Sequence, residues 1–291
     1  MNGGPGSTFR FGLLLPNAGH YADPERLLTL AESAEASGWD GVFLWDHLLL
    51  DRRLKLPMTD AWTVVAAILA RTRRIISGPL VTPVAGRHPW KVARETVTLD
   101  RLSGGRLVLG AGLGAAGATD FAAFGDTADL AERAARVDEG LEVIERLWSG
   151  AEVTHRGPHF HLDRVTFLPT PRQRLRVPVW TALTWPLTAP GPLARAARWD
   201  GFVPMVRDPS GGLHGPGHEE LAAIMAAVGD RSRDLAVVVP GTLSPNDADG
   251  ARDQVARVRA AGATWWLESF DPWVRDAQDA WAWAAQGPPR L

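Results

Sequence analysis

The sequence predicts an α/β protein folded as a single (βα)8 TIM barrel, with a β-hairpin insertion before strand five. Three observations carry the prediction. Short, wholly apolar runs alternate with amphipathic helical segments, and eight of each can be counted along the chain. One helix-end, turn and strand design also recurs, in ASGWDGVFLWD at 36–46, AARWDGFVPMV at 196–206 and AAGATWWLESF at 260–270. Apolar strands of this kind imply a parallel sheet covered on its faces, and eight units is the number that closes a barrel. A doubly wound open sheet is the structural rival.

The elements follow in order. FRFGLLL at 9–15 makes the first strand, and Asp23, Pro24 and Glu25 then supply an N-cap, a first-turn proline and a first-turn acid for a helix closed by Gly38. A second strand, 42–45, follows at once. Helix 60–71 leads to strand 74–82, helix 89–102 to strand 106–111, and a loop precedes the long helix 129–148. Further strands are expected at 177–182, 201–206, 235–240 and 264–268, with helices at 192–198, 219–228, 249–261 and 274–285. The interruption, about 150–172, alternates apolar and polar residues around Arg156, Gly157 and Pro158, which is the pattern of a hairpin. His159 and His161 would share one face of it. Hairpins often carry exposed histidines, so they are expected to be hairpin surface residues and not metal ligands.

A length of 291 residues alone leaves one domain or two open; the barrel makes it one, spanning 1–291. Hydrophobic residues at 45% and charged residues at 22% supply a large core. A net charge of −2 with dispersed basic residues argues against a nucleic-acid or lipid-surface partner, so a small molecule is the expected ligand. No cysteine is present, which removes disulfides, thiolate nucleophiles and thiolate metal sites together. The N-terminal MNGGPGSTFRFG lacks the long apolar segment of a signal peptide, so a cytoplasmic location is expected.

In an α/β barrel the strand C-terminal ends form the active-site face. The first strand runs toward Asn17 and His20, the second to Asp46 and His47, and the third to Thr82 before Arg87 and His88. The fourth ends in the glycine run 110–114, the sixth in Arg207 and the eighth in Glu268. His20, His47 and His88 are therefore placed to share a face. For His47 the bland reading is a hydrogen-bonded strand end; the functional one is proton exchange near neutral pH, with Asp46 fixing a tautomer or a ligand. Neighbouring strand positions point to opposite faces, so the two need not form a dyad. Gly110 and Gly112 fit a close backbone approach to a ligand, but their spacing is not that of a dinucleotide motif. Of the 13 tryptophans, Trp39, Trp148, Trp180, Trp199, Trp265 and Trp266 mostly suit core or helix-sheet packing; Trp45, Trp90 and Trp185 lie at loop-facing ends and suit stacking on a flat ring.

LDRLSGGRLVLGAGLG at 99–114 closely resembles the central signature of the bacterial luciferase-like flavin-dependent oxidoreductases. GWDGVFLWDH at 38–47, GPLVTP at 78–83 with Arg87, His88 and Pro89, GLEVIERLWSG at 140–150 and RAARWDG at 195–201 match it further. The resemblance implies a (βα)8 barrel, a flavin or deazaflavin ring over the strand C-terminal ends, and often a homodimer. The Asp-His pair is typical of the branch that uses the deazaflavin coenzyme F-420, where the histidine position exchanges a proton; here these are Asp46 and His47. FMN with oxygen, and a non-catalytic cofactor binder, stay open as alternatives. Cofactor contacts are expected from Asp46, Pro79, Leu80, Thr82, Gly110, Gly112 and Arg207, and a substrate pocket from His20, Trp45, His88, Trp90 and Trp185. No metal is implied. Family members carry a non-prolyl cis peptide after strand three, which maps to Pro79–Leu80, with Gly78–Pro79 competing. Two departures stand out. Ala115 and Ala116 occupy the place of a glutamate found in several family enzymes, with Asp120 the first acid, and 181–192 lacks the usual phosphate-binding glycine pair. Phosphate is expected instead at Arg207 and the helix N-terminus near Gly191.

Overall fold

The computed structural model describes residues 9–114, 119–229, 235–244, 246–272 and 277–290. The expected Ala115 and Ala116 departure, and the start of the helix expected at 274–285, lie outside these residues. Strands β1 (Arg10–Leu15), β2 (Gly41–Leu44), β3 (Ile76–Pro79), β4 (Thr82–Pro83) and β5 (Leu109–Gly112) alternate with helices α1 (Pro24–Ala36), α2 (Ala61–Arg71) and α3 (Pro89–Ser103). The short α4 (Thr119–Ala122), the long α5 (Leu130–Trp148) and the hairpin β6 (Glu152–Arg156) and β7 (His161–Thr166) come next. The second half runs β8 (Val179–Trp185), α6 (Gly191–Arg198), β9 (Gly201–Arg207), β10 (Leu213–His214), α7 (His218–Val228), β11 (Ala236–Gly241), α8 (Ala248–Ala260), β12 (Trp265–Ser269) and α9 (Ala277–Gln286).

The strands pair in the order β3-β2-β1-β12-β11-β9-β8-β5-β4, all parallel. The ring closes where Ser77 bridges Leu107, with Ser77 N–H donating to Arg106 O and Val108 N–H to Ser77 O, each at 3.0 Å. The expected barrel and its hairpin are both present. Local chemistry explains the helix starts: Asp23, Asp60, Asp129 and Asp247 each accept from first-turn backbone N–H groups, and α3 closes on Gly104 at φ +73°.

The expected strand 74–82 is broken in two, and its irregular bond is displaced by one. The non-prolyl cis peptide is Leu80–Val81, not Pro79–Leu80 or Gly78–Pro79. The ladder shows why. Pro79 is still in register opposite Leu44, and Leu80 N–H still donates to Leu44 O at 2.7 Å, so regular pairing with β2 persists through Leu80. Beyond it the chain bulges and resumes as β4, now pairing only with β5.

Alternate strand positions divide between two cores. Leu13, Leu15, Val42 and Leu44 face the helices, while Leu14, Phe43, Val108, Val203, Val238 and Leu267 fill the barrel. Three interior rings, Phe43, Trp180 and Trp265, pack with centroids 5.5–5.8 Å apart and contribute about 0.5–1.5 kcal/mol per pair beyond burial. Glycine makes the room: a methyl on Gly41 would lie 2.6 Å from Phe43, and one on Gly201 2.8 Å from Trp180. The six tryptophans expected in the core, Trp39, Trp148, Trp180, Trp199, Trp265 and Trp266, are all buried. Packed on the interior cluster, and partly exposed, are Trp45 and Val81.

Candidate active site

The segment after β2 carries the chemistry. Asp46 and His47 lie beyond the last β2 residue, Leu44, and turn to different partners. The Asp46 carboxylate, with 3% of its side chain exposed, accepts from Thr82 Oγ1 at 2.8 Å, Trp62 Nε1 at 3.1 Å and Arg87 at 3.3 Å. Arg87 continues the network to Glu95 at 3.8 Å, and Lys91 reaches Glu95 at 2.8 Å. Burial pushes the Asp46 carboxyl above its usual range, and Arg87, Thr82 and Trp62 only partly oppose that shift.

His47 faces elsewhere. Its Nδ1 lies 2.7 Å from Asp120 Oδ2, and Asp120 Oδ1 accepts from Leu49 N–H at 2.6 Å. Asn17, fully buried at the end of β1, pins the His47 backbone: its Nδ2 donates to His47 O and to Thr59 O, both at 2.8 Å, and its Oδ1 accepts from His47 N–H at 3.4 Å. The imidazole stands edge-on to Trp45, with ring centroids 6.1 Å apart at 77°. One titratable ring thus stands edge-on to Trp45, which itself packs on the barrel interior at the strand ends.

The remaining expected residues are placed as follows. Gly110 and Gly112 adjoin the bulge: a methyl on Gly110 would fall on the Pro79 carbonyl oxygen and 2.6 Å from Leu80, and one on Gly112 2.5 Å from Val81. Both glycines therefore lie directly against the bulge of the same chain. Leu80 is buried in the barrel interior, and Thr82 serves Asp46. Arg207 ends β9, exposed, with one donor on Gly211 O at 3.2 Å. Helix α6 begins at Gly191 behind Pro190, which supplies no side-chain cap.

His20 is exposed in the turn after β1, and Trp185 is half-buried at the end of β8. His88 and Trp90 are drawn together and toward the hairpin. Their rings stack at 4.9 Å, and Trp90 meets Phe160 edge-on at 6.2 Å. His159 contributes a backbone N–H to Glu139. Glu268 is buried and accepts from Leu243 N–H at 3.0 Å and Trp266 Nε1 at 3.2 Å, so it caps the segment after β11. The sequence reading missed Trp62 and the pairing of Asp120 with His47. A tryptophan two residues after the Asp60 cap was the available signal for the first; for the second it was the first acid after the fourth-strand glycines.

The family model described as Luciferase-like monooxygenase matches residues 9–280. An F-420-dependent glucose-6-phosphate dehydrogenase of Nakamurella multipartita is 34% identical over 166 residues, which is 56% of this chain and 48% of that protein. An F-420-dependent hydroxymycolic acid dehydrogenase of Mycobacterium tuberculosis is 30% identical over 186 residues, covering 63% and 50%. The matches thus span about half the length of these curated relatives. An F-420-dependent secondary alcohol dehydrogenase, solved in complex with an F-420-acetone adduct, shares the fold with a TM-score of 0.77 at 18% identity, over 94% of this chain and 96% of that one. Barrel, bulge and signature residues agree with a match that spans nearly the whole sequence, and the chain belongs to the luciferase-like monooxygenase family.

Proposed function

We propose that this protein is a coenzyme F-420-dependent oxidoreductase acting on a small organic substrate, with His47 handling the proton that accompanies hydride transfer. The observation that carries the reading is a single imidazole, held at Nδ1 and unengaged at Nε2 among the described residues, beside an apolar surface at the strand ends. Relatives named for F-420 dependence support the choice of coenzyme.

The residues fit a flat ring. Trp45 and Val81 are partly exposed apolar side chains backed by the filled barrel interior. The deazaflavin, when bound, supplies a ring carbon that takes up or gives back a hydride. Everything else falls to this chain. Pro79, Leu80 and Val81 would wall the ring, and Gly110 and Gly112 leave room for that bulge to seat. Asp46 and Thr82, held by Trp62 and Arg87, would fix the polar edge of the site. Arg207, with donors to spare, and the α6 N-terminus at Gly191 suit the phosphate-bearing part of the coenzyme. Trp45, Trp185, His20, His88 and Trp90 would line the substrate side, the last two stacked on each other with Trp90 against Phe160 of the hairpin.

At His47 the step is a proton transfer: a substrate O–H breaks as an Nε2–H forms, or the reverse. Correct positioning of such a group contributes about 10²–10⁴-fold. Anaerobic assays with small alcohols and carbonyl compounds test the proposal. The expected result is a change in coenzyme F-420 absorbance without oxygen, abolished in His47→Ala with folding intact. Turnover that requires FMN and consumes oxygen would replace this reading with a monooxygenase.

A further inference from the structure

We infer that Asp120 is a positioning residue for His47, fixing the imidazole as the tautomer protonated at Nδ1 and so reserving Nε2 for the substrate proton. The tautomer assignment stands on geometry alone; the use of Nε2 rests on the proposed hydride-transfer chemistry.

Asp120 has 4% of its side chain exposed, and both of its oxygens are committed. Oδ1 takes the Leu49 N–H at 2.6 Å and Oδ2 faces His47 Nδ1 at 2.7 Å. A carboxylate only accepts hydrogen bonds, so the proton in the short contact belongs to Nδ1. Asn17 holds the His47 backbone on both its N–H and its C=O, so the imidazole starts from a fixed main chain and is oriented by its contact with Asp120. Among the described residues Nε2 has no hydrogen-bond partner, and in the neutral ring it carries the lone pair. A hydrogen bond at one imidazole nitrogen sets the chemistry of the other. The acid comes from the segment after β5, 73 residues along the chain from the histidine. That segment therefore completes the site although Ala115 and Ala116 stand where a glutamate is found in several family enzymes.

A merely structural Asp120 would act as a clip between the segments after β2 and β5. Asp120→Asn separates the two roles. Its amide oxygen can still accept from Leu49 N–H, so the clip survives, but its NH2 faces Nδ1 as a donor and demands the opposite tautomer. Nitrogen-15 NMR of the imidazoles, with His47 assigned by signal loss in His47→Ala, reads this directly for the neutral ring at alkaline pH. The wild type is expected to carry its proton on Nδ1 and Asp120→Asn on Nε2, with Asp120→Glu restoring the wild-type pattern. In turnover, Asp120→Asn should lower kcat by about 100-fold or more while leaving coenzyme affinity unchanged.

A wild-type His47 protonated on Nε2, or an unchanged tautomer in Asp120→Asn, would overturn the inference. If Asp120→Asn fails to fold, the wild-type spectrum alone decides. The spectra need no substrate or coenzyme. Failure of the hydride-transfer reading would leave the tautomer result intact, and failure of the positioning role would show in the spectra whatever the reaction is.

Discussion

Replacing Gly110 with alanine should displace the bulge that walls the site, because the strand leaves no room for one methyl group. The new carbon would fall on the Pro79 carbonyl oxygen, 2.6 Å from Leu80 Cδ2 and 3.2 Å from Leu80 Cα. Carbon atoms pack at about 3.5–4.0 Å, so backbone at Pro79 and Leu80 must move by about 1 Å. Overpacking of this kind costs about 1–3 kcal/mol. In a chain of this size that lowers Tm by about 2–6 °C. A shift of 1 Å in a positioning element costs about 100-fold in rate, so turnover should suffer more than folding. Gly140→Ala in α5 is the control. Its methyl would meet Val84 and Phe160 at 3.5 and 3.6 Å, ordinary contact distances, and removing a mid-helix glycine should stabilise by about 0.5–1 kcal/mol. Thermal melts and steady-state rates on both variants check the pair. A Gly110→Ala protein that melts and turns over like the wild type would refute the packing argument.

Two further substitutions probe the charges. Burial raises the Asp46 carboxyl above its ordinary value of 3.8, so the folded protein holds that proton more tightly than the unfolded chain does, and stability from this group falls as pH rises through the window above 3.8. Asp46→Asn lacks that titration, so in denaturant melts across this range its stability relative to wild type should rise with pH; a constant or falling difference would contradict the assignment. Glu139 behaves oppositely. Burial pushes its carboxyl up, but His155 and the backbone N–H groups of Phe160 and His159 outweigh burial and hold it below the usual range. Its stabilisation is therefore present above 4.5 and lost as pH falls through the lowered value. Glu139→Gln should weaken the hairpin tip by about 1.5–3 kcal/mol, seen as faster amide exchange at residues 159 and 160 with α5 unaffected. Unchanged exchange there would show that the clasp carries no energy.

Much of the barrel was legible because strand and helix differ in period and because aspartate caps are local signals. FRFGLLL and the turns at Asp23 and Asp60 needed no distant partner to be recognised. The split of the third strand was not legible, since its cause lies in the neighbours: β2 pairs with the chain through Leu80, whereas β5 takes over only from Thr82. Gly110 and Gly112 drew attention as positions of close approach, and the structure shows the bulge of the same chain against them, a contact no local pattern announces. Asp46 and His47 were found by their place at a strand end. Their partners Trp62, Arg87 and Asp120 come from three different segments and carry no common pattern. His88 and Trp90 sit after the right strand yet turn to the hairpin, where Phe160 offers a ring that sequence order does not bring near.

The most direct test of the central claim is equilibrium binding of coenzyme F-420 and of FMN to the purified protein under identical conditions, followed by fluorescence. Tight binding of coenzyme F-420 that excess FMN fails to displace is the predicted result. Tight FMN binding with none of coenzyme F-420 would contradict the account.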